Sequence, residues 1–177
     1  MPAAPVRMGL SWRAMLAGDL PAVAALAEAL HPEHPESPAV FAERLALAPA
    51  GCRVLACGDA LLGYAVMHPW TGLAPPPLDA LLGRLPARPG AWHIHDVALA
   101  PEARGAGHAA AVVRVVLGPR RATLVALAEA VDYWSRLGFR ELPCADAGAL
   151  ASYGAGARFM GRGAVRQEQD TPLPAAD

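Results

Sequence analysis

Residues 97–111 read VALAPEARGAGHAAA, and the reading of the whole chain turns on them. Val97-Ala98-Leu99 closes a stretch from Trp92 that reads as a strand over 92–99. Pro101 stops it. Arg104-Gly105-Ala106-Gly107-His108-Ala109 then leads into a strongly apolar helical run over 107–117. A strand that enters a helix through such a turn gathers backbone N–H groups at the positive end of the helix dipole. Gly105 and Gly107 carry no side chain to keep an anion from the backbone. Arg104 can add a charge-assisted hydrogen bond. The segment reads as a diphosphate cradle, with a plain tight turn as the competing reading. No GK[ST] follows, so it is not a P-loop. Position 110 is Ala and no acidic residue ends a strand ~20 positions on, so it is not the dinucleotide GxGxxG fingerprint.

Working outward, periodicity predicts a first strand over 10–15 and an Ala/Leu-rich helix from Asp19, as N-cap, to about Leu30. HPEHPESP at 31–38 holds three X-Pro steps, which forbid regular helix and predict an extended loop. Ser37 caps, and Pro38 opens, a second helix to about Ala48. Strands over 53–57 and 61–68 form a hairpin turned by Gly58 and Asp59. A Pro-rich loop over 69–77 precedes a short helix over 78–85. Beyond the central turn come a buried strand over 123–127, a helix over 128–137 closed by Gly138, and an antiparallel pair over 139–142 and 157–162. This order is mixed α/β.

The 177 residues suffice for one domain, and 54% hydrophobic against 18% charged residues supplies its core well. We take residues 1–9 as a flexible N-terminus, 10–162 as the domain and 163–177 as a disordered tail. The net charge of -1 leaves no electrostatic footprint for nucleic acid or an anionic membrane, and no apolar run reaches membrane-spanning length. Cys52, Cys57 and Cys144 are odd in number and lack CxxC spacing, which points away from a metal or disulfide framework and toward a cytoplasmic protein. The Ala, Gly and Pro richness, with Arg as the sole basic residue besides His, fits a GC-rich bacterial gene.

The turn at 104–109 resembles the acetyl-CoA motif Q/R-x-x-G-x-G/A of the GNAT superfamily. About 30 residues on, Tyr133-Trp134-Ser135-Arg136-Leu137-Gly138-Phe139 resembles that family's aromatic-aromatic-x-x-x-Gly-Phe segment. The resemblance spans residues 10–162. It implies a mostly antiparallel mixed sheet with a splayed parallel pair, flanked by helices. More narrowly, Trp92-His93-Ile94-His95-Asp96-Val97-Ala98-Leu99 looks like the His-x-His-x-x-Ala strand of the arylalkylamine (serotonin) N-acetyltransferases, and HPEHPESP falls where they place a mobile substrate-covering loop.

The resemblance implies an enzyme that moves an acetyl group from acetyl-CoA, without a metal, to a small primary amine. A protein N-terminal or lysine acetyltransferase, or a catalytically weak acyl-CoA-binding module, are the alternatives, as monomer or homodimer. Val97 and Leu99 would contact the acetyl carbonyl and pantetheine arm through the backbone. Arg104, Gly105, Ala106, Gly107, His108 and Ala109 would hold the diphosphate, and Trp134 would pack beside the cofactor. His93 and His95, two apart on one strand face, would take the proton of the ammonium, imidazole titrating near ~6.5. Alternation turns Asp96 to the opposite face. The family's acid is a Tyr at position 134; here that residue is Trp, leaving Tyr133 as the substitute. Met67, His68 and Trp70, at a strand end, and Glu36 in the Pro-rich loop are the candidate substrate residues.

Overall fold

A computed structural model describes residues 9–163. The expected flexible N-terminus and tail lie almost wholly outside this range. The chain runs β1 (Ser11–Ala14), α1 (Leu20–Leu30), α2 (Pro38–Leu47), β2 (Cys52–Cys57), β3 (Ala60–Trp70), β4 (Ala91–Leu99), α3 (His108–Leu117), β5 (Ala122–Ala126), α4 (Val131–Arg136), β6 (Arg140–Glu141), α5 (Ala147–Ala151) and β7 (Arg158–Arg162). The strands form one seven-stranded sheet ordered β1-β2-β3-β4-β5-β7-β6. Every neighbouring pair is antiparallel except β4 and β5.

Both faces of the sheet are covered, so its central strand is apolar on both. In β3, Tyr64 and Val66 join Val23 and Ala27 of α1 and Phe41 of α2. Ala65 and Met67 join Val112, Val113, Val116 and Leu117 of α3 on the other face. Those four α3 side chains are at most 8% exposed. Burying them contributes roughly 6–12 kcal/mol before conformational entropy is set against it, which anchors the helix whose N-terminus forms the central turn.

Two irregularities in β4 create the site. First, β4 and β5 pair only from Trp92↔Ala122 to Ile94↔Leu124 and then part, so the sheet splays open. Second, Val66 pairs with Asp96 while Met67 pairs with Ile94, which leaves His95 as an extra residue without a partner on β3. Such a bulge breaks strict alternation. His95 and Asp96 therefore line the same pocket, and the expectation that Asp96 faces away is corrected.

No helix forms over 78–85. Asp79 adopts φ 58°, which a right-handed helix excludes. The segment's amides go elsewhere. Asp79 N–H donates to Glu36 Oε1, Leu82 and Gly83 N–H donate to Glu43, and Leu78 N–H donates to Ser152 Oγ. The helix expected over 128–137 is a 3-10 turn, Ala128–Ala130, followed by α4. Asp19 precedes α1, but its carboxylate caps the preceding turn, accepting from Leu16 N–H and the Arg13 guanidinium. The short α5 was not expected from the sequence; Asp146 caps it by accepting from Ala149 N–H at 2.9 Å.

Candidate active site

The turn after β4 is left-handed at two positions, Gly105 at φ 81° and Gly107 at φ 77°. Gly107 is the N-cap of α3, and the first helical bond runs from Ala111 N–H to Gly107 O at 3.0 Å. Among the described residues, the N–H groups from Gly105 to Ala109 donate to no protein acceptor. The amides at a helix N-terminus have no partner within the helix; here Gly105 to Gly107 are exposed and His108 and Ala109 half-buried, so the turn is open to a ligand. A Cβ built on Gly105 or Gly107 would meet no atom within 4 Å, so both face empty space. Arg104 is anchored by Nε donating to Leu99 O at 3.0 Å.

This empty space is a cavity of about 740 Å³ where β4 and β5 part. Its walls include Val97, Leu99, Arg104, Gly105, Gly107, His108 and Ala109, together with Tyr133, Leu30 and His31. Ala106 and Trp134 do not line it. Trp134 is buried against Phe139, at 5.4 Å, and Tyr133, at 5.3 Å, inside the α3-side core. Burial holds the Tyr133 hydroxyl proton more tightly than in a free phenol, with the nearby Ala110 N–H acting against it.

A second, smaller pocket of about 80 Å³ adjoins the first. It is lined by His31, His34, Glu36, Leu78, His95, Asp96, Val125, Leu127 and Tyr153. His95 Nε2–H donates to Glu36 Oε2 at 2.9 Å, with side chains only 1% and 7% exposed. His95 Nδ1 is buried with no protein partner. Asp96 sits between the Tyr64 hydroxyl, which donates to Oδ2 at 2.5 Å, and His31 Nε2, at 3.5 Å from Oδ1. Burial pushes the Asp96 carboxyl up, but His31 and Tyr64 outweigh that and hold it below the carboxylate range. The same contact with Asp96 raises the His31 imidazole. The HPEHPESP loop is fastened over the pocket, with His34 Nε2–H donating to Tyr153 O at 2.9 Å.

The structure separates His93 from His95. His93 is 1% exposed, shares a hydrogen bond of 3.0 Å with the Thr123 hydroxyl, and lines neither cavity. Burial lowers its imidazole well below the ordinary range. His68 lies between the two, 5.6 Å from the ring of His93 and 6.2 Å from that of His95. Burial takes His68 down to about 3. Met67 is fully buried in the α3-side core, so neither it nor His68 lines a pocket wall. Trp70 faces a different cleft with Leu82 and Leu85, its Nε1–H donating to Ala74 O. Of the four candidate substrate residues, only Glu36 reaches the pocket. His31, His34 and Asp96 were not among the candidates chosen from sequence; the one signal for the first two was their place in the Pro-rich loop.

The sequence profile of the acetyltransferase (GNAT) family matches residues 20–139, and the chain belongs to that family. No curated protein matches it at the sequence level. Among solved structures, a GNAT-like decarboxylase, GphF, in complex with isobutyryl-CoA is 18% identical, covers 88% of this chain and 100% of its own, and superposes with a TM-score of 0.71. Ard1 from Thermoplasma volcanium is 15% identical over 86% of this chain and 96% of its own, with a TM-score of 0.64. Arabidopsis thaliana Naa50, in complex with a bisubstrate analogue CoA-Ac-MVNAL, is 13% identical over 87% and 98%, with a TM-score of 0.62. At these identities the likeness establishes the fold: a mixed sheet with one parallel pair, flanked by helices. Among the described residues no helix is long and apolar enough to cross a membrane, and no group of three or more His, Cys, Asp or Glu side chains could hold a metal ion.

Proposed function

We propose that this protein is an N-acetyltransferase that moves an acetyl group from acetyl-CoA to a small primary amine. The observation that carries the reading is the set of N–H groups from Gly105 to Ala109 with no protein acceptor, at the rim of a cavity that adjoins the His95–Glu36 pocket. Those amides, with Arg104, suit a diphosphate. The pantetheine arm would run along the exposed edge of β4 beside Val97 and Leu99, where the splay leaves backbone groups without a β5 partner. An N–H on that edge can stabilise charge developing on the acetyl carbonyl oxygen.

The amine reaches the enzyme as an ammonium and must lose a proton before it attacks. With Nε2–H given to Glu36, His95 presents Nδ1 as its lone-pair nitrogen, and Glu36 stabilises the imidazolium formed when Nδ1 takes the proton. His93, whose ring is engaged by Thr123, lies behind the pocket and does not meet the substrate in this reading. The carboxylates of Glu36 and Asp96 attract the incoming cation. The small volume of the pocket and its cover by the Pro-rich loop favour a compact amine over a polypeptide. Free CoA release, measured across aryl-alkylamines, aliphatic amines, polyamines and short peptides, tests the reading. Turnover with small amines is the expected result, and turnover with peptides alone would give the acceptor class to protein N-termini instead. Binding of acetyl-CoA with no turnover on any amine would leave an acyl-CoA-binding module.

A further inference from the structure

We infer that His31, held in place by Asp96, is the acid that protonates the leaving thiolate of the acyl donor. This rests on the acetyl-transfer reading above, in which the sulfur departs into the larger cavity while the amine waits in the smaller pocket. His31 is the one side chain shared by the linings of both. Neither of the two aromatic candidates is as well suited. The Trp134 indole is packed in the core. The Tyr133 phenol lines the cavity, but a phenol near or above ~10 holds its proton more tightly than a thiol near ~8.5.

The setting of His31 is that of a cation. It is the C-cap residue of α1, its N–H donating to Ala27 O at 2.8 Å, where the negative end of the helix dipole favours positive charge. Nε2 is buried, makes no hydrogen bond, and lies at ion-pair distance, 3.5 Å, from Asp96 Oδ1. The other Asp96 oxygen is engaged by the Tyr64 hydroxyl, so the carboxylate cannot swing away freely. Glu36, from the loop, adds to the attraction, and Arg104, from the turn, opposes it. With Nε2 facing Asp96 across an ion-pair distance, Nδ1–H is the proton that can be given to the sulfur. The imidazole side chain is 32% exposed, so solvent can restore that proton between turnovers. Reference values of ~6.5 for imidazole and ~8.5 for a thiol leave room for Asp96 to raise His31 while its imidazolium stays the stronger acid.

The step balances. The amine nitrogen bonds to the acetyl carbon, the C–S bond breaks and its electron pair leaves with sulfur. His31 Nδ1–H gives its proton to that sulfur. Two protons leave the ammonium nitrogen overall: one ends, through solvent and His31, on the thiol, and one is released. Glu36–His95 and Asp96–His31 thus divide the base and acid work between two imidazole–carboxylate pairs.

Three measurements on the full chain test this: the ring titration of His31 by 15N NMR in the free and CoA-bound protein, acetyl-CoA binding by calorimetry, and kcat against pH. His31→Gln is expected to bind acetyl-CoA within about threefold of wild type and to lose kcat on the order of a hundredfold, as for loss of a positioned acid, together with the alkaline limb of the profile. Asp96→Asn should move the His31 NMR midpoint and the alkaline limb down together. Tyr133→Phe should keep that limb. An unchanged kcat in His31→Gln overturns the inference, as does loss of the acidic limb instead, which would make His31 a base. A His31 midpoint at or below that of free imidazole also overturns it. A wild type that transfers no acetyl group to any amine sinks the proposed function and this inference with it. An active wild type beside an indifferent His31→Gln sinks this inference alone.

Discussion

Replacing Gly107 by Ala separates the cost of the turn to the fold from its value to the ligand. Gly107 holds φ 77° as the N-cap of α3. An L-residue in that conformation costs roughly 1–2 kcal/mol. Nothing else in the protein resists the change, because a Cβ there meets no atom within 4 Å. The loss of stability should therefore stay near that backbone figure, a fall in Tm of roughly 2–8 °C for a domain of this size. The same methyl group would stand in the space that a diphosphate must enter to reach the free amides. Hydrogen bonds to a charged group contribute ~1.5–3 kcal/mol each, so displacing one predicts acetyl-CoA binding weaker by roughly 10- to 150-fold. Calorimetric titration at a temperature where both proteins are folded, beside a thermal melt, reads the two effects separately. Wild-type affinity in a folded Gly107→Ala protein would refute the cradle. A melt lowered far beyond the stated range would show instead that the turn is needed for folding.

Other outcomes follow from the same geometry. His95→Ala should reduce kcat by roughly 10²–10⁴, the range for a positioned base, read from steady-state rates; Glu36→Gln, which keeps an acceptor for Asp79 N–H, should reduce it less. His68 and His93, both buried with imidazoles lowered by desolvation, bind protons once unfolded but not while folded. Stability is then complete above ~6.5 and falls as pH drops below it, by about 2 kcal/mol for the pair between pH 6.5 and 5.5; urea midpoints at the two values check this, and a flat profile would contradict it. Glu43→Ala should destabilise the protein by ~3 kcal/mol or more, since the wholly buried Arg44 side chain loses its ion-pair partner and Leu82 and Gly83 lose their acceptor; thermal unfolding followed by circular dichroism measures it.

The helices and strands around the turn were legible because their signals are local. Alternation marked β1, the Gly58-Asp59 turn marked the β2–β3 hairpin, Pro38 marked the start of α2, and Gly138, at φ 89°, closed α4. The segment over 78–85 was misread for the converse reason. Its apolar residues suit a short helix, but its amides are captured by Glu36, Glu43 and Ser152, 39 to 74 positions away along the chain. Asp96 was misread because strict alternation holds only where strands pair residue for residue, and the bulge at His95 is decided by β3. Met67 and Trp70 look like pocket residues on a strand end, yet burial under α3 and a turn toward Ala74 remove them.

The sequence by itself determined the architecture and the glycine turn that opens α3, because period, proline positions and a glycine pair act over a few neighbouring residues. Only the tertiary structure decided which titratable groups meet. His31 and Glu36 lie some 60 positions from the strand they face, and they reach His95 and Asp96 because a proline-rich loop folds back over a bulged, splayed strand. Contacts of that kind depend on where whole elements pack, which no local pattern encodes.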